Sequence, residues 1–128
     1  MRLLLDTHTL LWWLAGDSRL SAPARWAIED TENTVYVSAA SAWEVSTKHR
    51  LGKLPKIGPL ATDFSAEVEA QGFTSLSITL EDGSDAGKLP GPHRDPFDRM
   101  LIAQALSRNF AILSNEEDFD QYGVVRIW

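Results

Sequence analysis

Arg2-Leu3-Leu4-Leu5-Asp6 opens the chain's first ordered stretch with three leucines in a row and closes it on an acid. A short apolar run without alternation marks a strand covered on both faces, as in a parallel sheet. Residues 8–15 (HTLLWWLA) then read as a short helix that is apolar nearly all round, stopped by Gly16. Ser21 is placed to cap a helix over 22–30, with Pro23 tolerated in its first turn. Residues 34–37 (TVYV) are β-rich and brief, hence a second strand.

The same alternation continues. An Ala/Ser-rich stretch from Ser38 leads into a helix to about Arg50, stopped by Gly52 and Pro55. Another helix is expected over 60–70, a weak strand over 75–78, and only a short helical turn after Thr79. Gly87, Pro90, Gly91 and Pro92 read as a loop. Asp95-Pro96 is an N-cap followed by proline at the first helical position, so a helix should run from there to about Arg108. A buried strand over 110–113, a turn over 116–119 and a last strand over 124–128 complete the chain. Strands alternating with helices predict an α/β fold, three layers with a mostly parallel central sheet.

The chain has 128 residues, one domain's length, so residues 1–128 are read as a single domain. Its 44% hydrophobic and 23% charged residues are ordinary for a globular chain. The absence of cysteine excludes disulfides, thiol catalysis and Cys-based metal sites. A net charge of −6 excludes a generally basic nucleic-acid binder. No apolar run approaches the roughly 18 residues of a membrane span, and the N-terminal leucines meet Asp6 too soon for a signal peptide. These features together lead to the expectation of a cytoplasmic protein without a membrane partner.

The informative residues are acids. Asp6 closes the first strand, and in open α/β sheets the carboxyl ends of strands border the ligand crevice; it could equally cap the helix that follows. Asp98 shares a helix face with Leu101, Ile102 and Ala105, so its carboxylate needs a partner, a metal or a proton. The helix dipole offers a simpler account, since Asp98 lies in the first turn. Asp95 is explained as the cap, with at most a supporting role. Glu44 lies mid-helix, four residues before Lys48, a spacing that suits an ion pair. Ser114-Asn115-Glu116-Glu117-Asp118 puts three acids at the end of another strand, where a solvated turn is the plain reading.

Taken together, these acids could converge at one edge of a parallel sheet. Carboxylates held close repel unless a cation sits among them. All-oxygen ligation suits Mg²⁺ or Mn²⁺, and His8, His49 and His93 read as isolated. Such a site serves phosphoryl chemistry by activating water and stabilising the leaving oxygen. A phospho-aspartate enzyme or receiver domain fits poorly. The first needs an acid where His8 stands, and the second an acidic pair that Leu5-Asp6 does not provide.

LLLDTHTLLW at the N-terminus, SAASAWEVSTKHRL over 38–51, HRDPFDRMLIAQAL over 93–106 and ILSNEEDFDQYG near the end resemble PIN-domain proteins. More narrowly, they resemble VapC-type toxins of type II toxin–antitoxin pairs. The resemblance spans essentially the whole chain, with DPFDR followed by LIAQA its most distinctive piece. It implies a metal-dependent endoribonuclease with a PIN-like α/β/α fold and Mg²⁺ or Mn²⁺ as cofactor. An antitoxin partner is implied too, its C-terminal tail lying over the acidic site. The family's acidic quartet carries over to Asp6, Glu44, Asp98 and Glu116 as catalytic and metal-ligating residues. The last position departs from the usual Leu-Thr-x-Asp-x-x-Phe: Ser114 stands at the threonine and Glu116 at the aspartate, with Asp118 as the fallback ligand. A catalytically weak or inactive PIN-like binding module is the alternative that Glu116 leaves open.

RNA must be contacted locally on so acidic a chain. Residues 48–58 hold four Lys/Arg (Lys48, Arg50, Lys53 and Lys56) and no acid, while the rest of the chain nets −10. Arg94 and Arg99 flank Asp98. These six cations are expected to form a phosphate-guiding rim; cations on a helix C-terminus are the plainer account of 48–58. Trp12 and Trp13 are adjacent on a short helix, and one domain can hardly bury both. They are read as a partner interface, homodimer or antitoxin.

Overall fold

A computed structural model describes residues 1–128. Its sheet has five strands, β1 (Arg2–Leu5), β2 (Thr34–Ser38), β3 (Thr74–Leu76), β4 (Ala111–Leu113) and β5 (Arg126–Ile127), in the order β3-β2-β1-β4-β5. Every pairing is parallel; Leu3 registers with Val35 on one side and Ala111 on the other. The helices are α1 (Thr7–Ala15), α2 (Ala22–Glu29), α3 (Ala39–Arg50), α4 (Phe64–Ala70), α5 (Leu80–Lys88) and α6 (Pro96–Arg108), with 3₁₀ turns at Gly58–Ala61 and Glu117–Tyr122.

The leucine run explains the layering. Successive strand residues face opposite ways. Leu3 and Leu5 pack with Leu10 of α1, Ala24 and Ile28 of α2, and Val68 of α4. Leu4 packs on the other face with Ala40 of α3 and with Leu101, Ile102 and Ala105 of α6. All three leucines are fully buried. The result is the expected α/β/α sandwich. Because the chain crosses from β1 to β2 on one side and returns to β4 on the other, the sheet has its switch point beside β1, and the strands' carboxyl ends at such a point are where open α/β sheets take their ligands.

Local signals placed most boundaries. Ser21, Ser38 and Asp95 each accept a backbone N–H at the start of α2, α3 and α6. Gly16 ends α1 with a left-handed φ of 63°, which costs a glycine nothing. The helix expected over 60–70 is instead a 3₁₀ turn and then α4, because the Asp63 side chain caps Ala66 N–H and restarts the helix. The short turn expected after Thr79 is the nine-residue helix α5, which takes in Gly83 and Gly87. A reciprocal cap between Thr79 and Asp82 starts it, and packing on α6 carries it past two glycines. The last strand shrinks to Arg126–Ile127.

Candidate active site

Asp6 follows β1 directly and is 2% exposed. One carboxylate oxygen accepts the His8 N–H at 3.1 Å, so the residue does cap α1. The other accepts the Ser114 hydroxyl at 2.5 Å. Ser114 Oγ in turn accepts the Glu116 N–H at 3.0 Å, so this one hydroxyl links the ends of β1 and β4. Thr7 and Ser41 share a hydrogen bond of 2.9 Å that ties α1 to α3.

Glu44 points inward from α3 and is 3% exposed. Lys48 Nζ lies 2.5 Å from Oε2, so the expected i,i+4 pair exists. It accounts for only half of the carboxylate. Oε1 is buried with no hydrogen-bond partner. Asp98, in the first turn of α6, is also buried. Its backbone N–H and that of Phe97 are taken by the Asp95 cap. Glu116 is half-buried at the entrance to the 3₁₀ turn, whereas Asp118 is exposed. Of the two acids weighed at the end of β4, Glu116 is therefore the one that faces Asp98.

Electrostatics makes the convergence visible. Burial first, then the neighbouring charges of Asp95, Asp6, Glu116 and Glu44, push the Asp98 pKa up to about 8. Burial likewise raises Asp6, with Glu44 adding to it, against the lowering hydrogen bonds from Ser114 and His8. Glu116 is raised by burial and then by Asp6. These acids feel one another as like charges in a poorly hydrated place. Burial works against the Lys48 ammonium, yet Glu44 holds its pKa above the ordinary value.

One residue was misread from the sequence. His93 is not isolated: Nε2 lies 3.1 Å from Asp98 Oδ2 and 4.0 Å from Glu116 Oε2. Ligand atoms of His93, Asp98 and Glu116 all lie within 4.8 Å of one another. His93 lies five positions before Asp98, in the loop ahead of α6, so no helical or strand period connects them. The signal available was only its place beside the Asp95-Pro96 helix start.

The cation rim is also revised. Arg99 donates to the backbone carbonyls of Ala86 (3.2 Å), His93 (2.9 Å) and Leu89, which makes it a loop tie and not a phosphate guide. Lys48 is engaged by Glu44. Arg50, Lys53, Lys56 and Arg94 remain exposed. Trp12 and Trp13 are both half-buried by their own chain, against Trp128 and Phe73 respectively, and Trp13 Nε1 donates to Gln71. The exposed indoles are instead Trp26 (65%) and Trp43 (62%). Trp128 and the residues just after α4, Gln71 and Phe73, supply cover that the helix alone could not.

The donor set fits a hard divalent cation. Its charged members are carboxylates, with His93 Nε2 beside Asp98 and Glu116, and the partnerless Glu44 Oε1 is an oxygen that burial should not leave unsatisfied. The PIN domain family profile matches residues 3–125, and the chain belongs to that family. Within it, the chain is 27% identical to Ribonuclease VapC22 of Mycobacterium tuberculosis over 114 residues, 88% of this chain and 85% of that protein. Ribonuclease VapC16 of the same organism is 39% identical over 64 residues, a match spanning 47% of this chain and 45% of VapC16. Among solved structures, M. tuberculosis VapC20, described as a sarcin–ricin loop cleaving toxin, superposes with a TM-score of 0.70 at 16% identity, covering 96% of both chains. VapBC2 of Rickettsia felis, bound to a promoter DNA fragment, gives 0.68 at 12% identity, covering 98% of this chain and 97% of that one. At such identities the structures share the fold.

Proposed function

We propose that this PIN-domain chain is an Mg²⁺- or Mn²⁺-dependent endoribonuclease and the toxin of a type II toxin–antitoxin pair, working in the cytoplasm. The observation that carries the reading is the set of four acids, Asp6, Glu44, Asp98 and Glu116, gathered at the switch point with Glu44 Oε1 lacking any partner. The relatives' names supply the RNA and antitoxin parts.

Asp6, Glu44, Asp98 and Glu116 would hold the cation, which when bound lowers the pKa of water and stabilises charge on the phosphate. The rest is positioning. The Ser114 hydroxyl fixes the Asp6 carboxylate and the Glu116 backbone together. Lys48 holds one oxygen of Glu44 and so aims the other. Asp95 anchors the first turn of α6 and sets the direction of Asp98. Burial keeps the Asp6, Glu44 and Asp98 carboxylates from hydrating, so binding a cation relieves both repulsion and desolvation. Lys53 and Lys56, exposed beyond α3, and Arg94 beside His93 would meet the RNA backbone. A homodimer or antitoxin contact would use an exposed aromatic surface.

The test is purified protein with mixed RNA and Mn²⁺, beside an Asp6→Asn control. Wild type should cut and the control should not, and chelator should abolish cutting. Robust cleavage in excess EDTA would end the metal reading, and equal cleavage by both proteins would indicate contamination. RNA binding without cleavage would favour the binding-module reading.

A further inference from the structure

His93 is held through every polar group it owns except one. Its backbone N–H donates to Tyr122 Oη at 2.8 Å, and its carbonyl accepts from Arg99 Nη1 at 2.9 Å. Ring Nδ1 accepts the Asp95 N–H at 3.4 Å, so the ring's N–H is the one at Nε2. The ring rests near Phe119 and Tyr122, with centroids 6.0 and 6.5 Å away. The loop is pressed onto the same tyrosine: a Cβ at Gly91 would stand 2.5 Å from a Tyr122 ring carbon. The remaining group, Nε2, is buried and has no hydrogen-bond partner, although Asp98 Oδ2 is only 3.1 Å away. The carboxylate is close but not aligned to accept.

That position matters for what the site must bind. A phosphodiester is an anion whose non-bridging oxygens accept hydrogen bonds. The four acids of the site are acceptors when ionised. The nearby Ser114 hydroxyl donates to Asp6, and the Lys48 ammonium donates to Glu44. His93 Nε2–H is a donor already fixed at the edge of the acid cluster and without an acceptor. We propose that His93 is a substrate-facing donor, its Nε2–H hydrogen-bonding a non-bridging oxygen of the RNA phosphate bound beside Asp98 and Glu116. This rests on the nuclease reading above and adds to it a residue outside the acidic set. Arg99 and Tyr122 act through His93, as positioning residues that hold its loop. The competing role, Nε2 as a metal ligand, requires the ring proton to move to Nδ1 and the Asp95 contact to be lost.

The experiment compares wild type, His93→Gln, which keeps an N–H at similar reach, and His93→Leu, which removes it. Single-turnover cleavage at saturating RNA and the Mn²⁺-induced rise in Tm are measured for each. His93→Leu should slow cleavage by roughly 10²-fold, the effect of removing one preorganised donor. His93→Gln should recover a clear part of that loss, and the Mn²⁺ rise should be the same in all three. If His93→Leu does not fold, His93→Phe keeps the ring packing and gives the same comparison. A Mn²⁺ rise lost with the imidazole makes Nε2 a metal ligand and overturns the proposal. So does a cleavage rate indifferent to His93, or an equal loss in the glutamine and leucine variants. Wild type that cuts without need of His93 sinks this proposal alone, whereas wild type that does not cut sinks the nuclease reading with it.

Discussion

Asp82 and Asp98 occupy the same position, third residue of a helix, and both are buried, at 3% and 7% exposure. Both could be explained by the helix dipole. Their surroundings differ completely. Asp82 accepts from the Thr79 N–H, from Gln104 and twice from Arg108. Burial pushes its pKa up, but these donors, Arg108 foremost, outweigh it and hold the group at about 2. Asp98 is buried among four other acids, Asp95, Asp6, Glu116 and Glu44, beside a histidine that is not aligned to donate, and it sits at about 8. A buried acid with its counter-charges in place holds a helix down. A buried acid among acids is waiting for something the chain does not supply.

The largest effect that could break this contrast is on cleavage. Asp98→Asn should lower the single-turnover rate by roughly 10²–10³-fold, the range seen when one preorganised group is removed from a transition state. Asp82→Asn should leave the rate of the folded protein within a few-fold of wild type. Equal losses in the two variants would mean that the difference in surroundings has no functional meaning.

Stability should show the reverse order. Asp82→Asn removes charge-assisted hydrogen bonds to Arg108 and should cost about 2 kcal/mol, a fall of roughly 5–10 °C in Tm. Asp98→Asn relieves repulsion and should leave the metal-free protein unchanged or more stable. Wild type should gain about 2.7 kcal/mol from Mn²⁺ at a hundredfold excess over its Kd, and Asp98→Asn much less. The pH dependence sharpens this further. The Asp98 carboxyl titrates near 3.8 when unfolded and near 8 in the fold, so between those values the native state binds the extra proton. Its contribution to stability is therefore present below the lower value and is lost as pH rises through the window. Asp82 does the opposite, contributing above 3.8 and losing that contribution as pH falls toward 2. Metal-free wild type should thus lose stability from pH 4 to pH 8, and the Asp98→Asn profile should be flatter. If the two profiles coincide, folding does not raise the Asp98 pKa and the contrast with Asp82 fails.

The same pair explains what a sequence reader can and cannot see. The leucine run, the Asp95-Pro96 start and the serine caps act within a few residues, so the sandwich and most boundaries were legible. Asp6, Asp98 and Glu116 stood out as acids following or facing apolar stretches, Glu44 read by itself as half of an ion pair with Lys48, and in the fold all four are close enough to act on one another as like charges. What escaped was set by distant partners. Helix α5 depends on Asp82 meeting Arg108, which lies 26 positions later. His93 joins the acids through a loop held by Arg99 and Tyr122, and no period in the sequence records that. Arg99 itself read as a free cation because its carbonyl partners are backbone and leave no trace in side-chain chemistry. Trp12 and Trp13 looked too many to bury until Phe73 and Trp128 came into contact with them.

The smallest expected effect concerns how the acidic crevice tolerates RNA at all. The stretch after α3 carries Lys53 and Lys56, both exposed, and Lys56 lines one hollow with His8 and Trp12 near the end of β1. His8, which shares that hollow with Lys56, donates its backbone N–H to Asp6, so the lysine lies on the α1 side of the first acid and pairs with none of the four. Removing both charges, Lys53→Ala with Lys56→Ala, should weaken RNA binding and lower the slope of log affinity against log salt by about 1 to 1.5, since each single-strand phosphate contact contributes about 0.7. The comparison should be made on Asp6→Asn protein, so that cleavage does not consume the RNA. Binding and slope both unchanged would reduce the stretch to a helix end whose last turn, Lys48, His49 and Arg50, sits on the α3 dipole. Weaker binding with an unchanged slope would mean that the lysines shape the segment and do not touch phosphate. Only a change in both identifies them as the charges that offset the repulsion around Asp98.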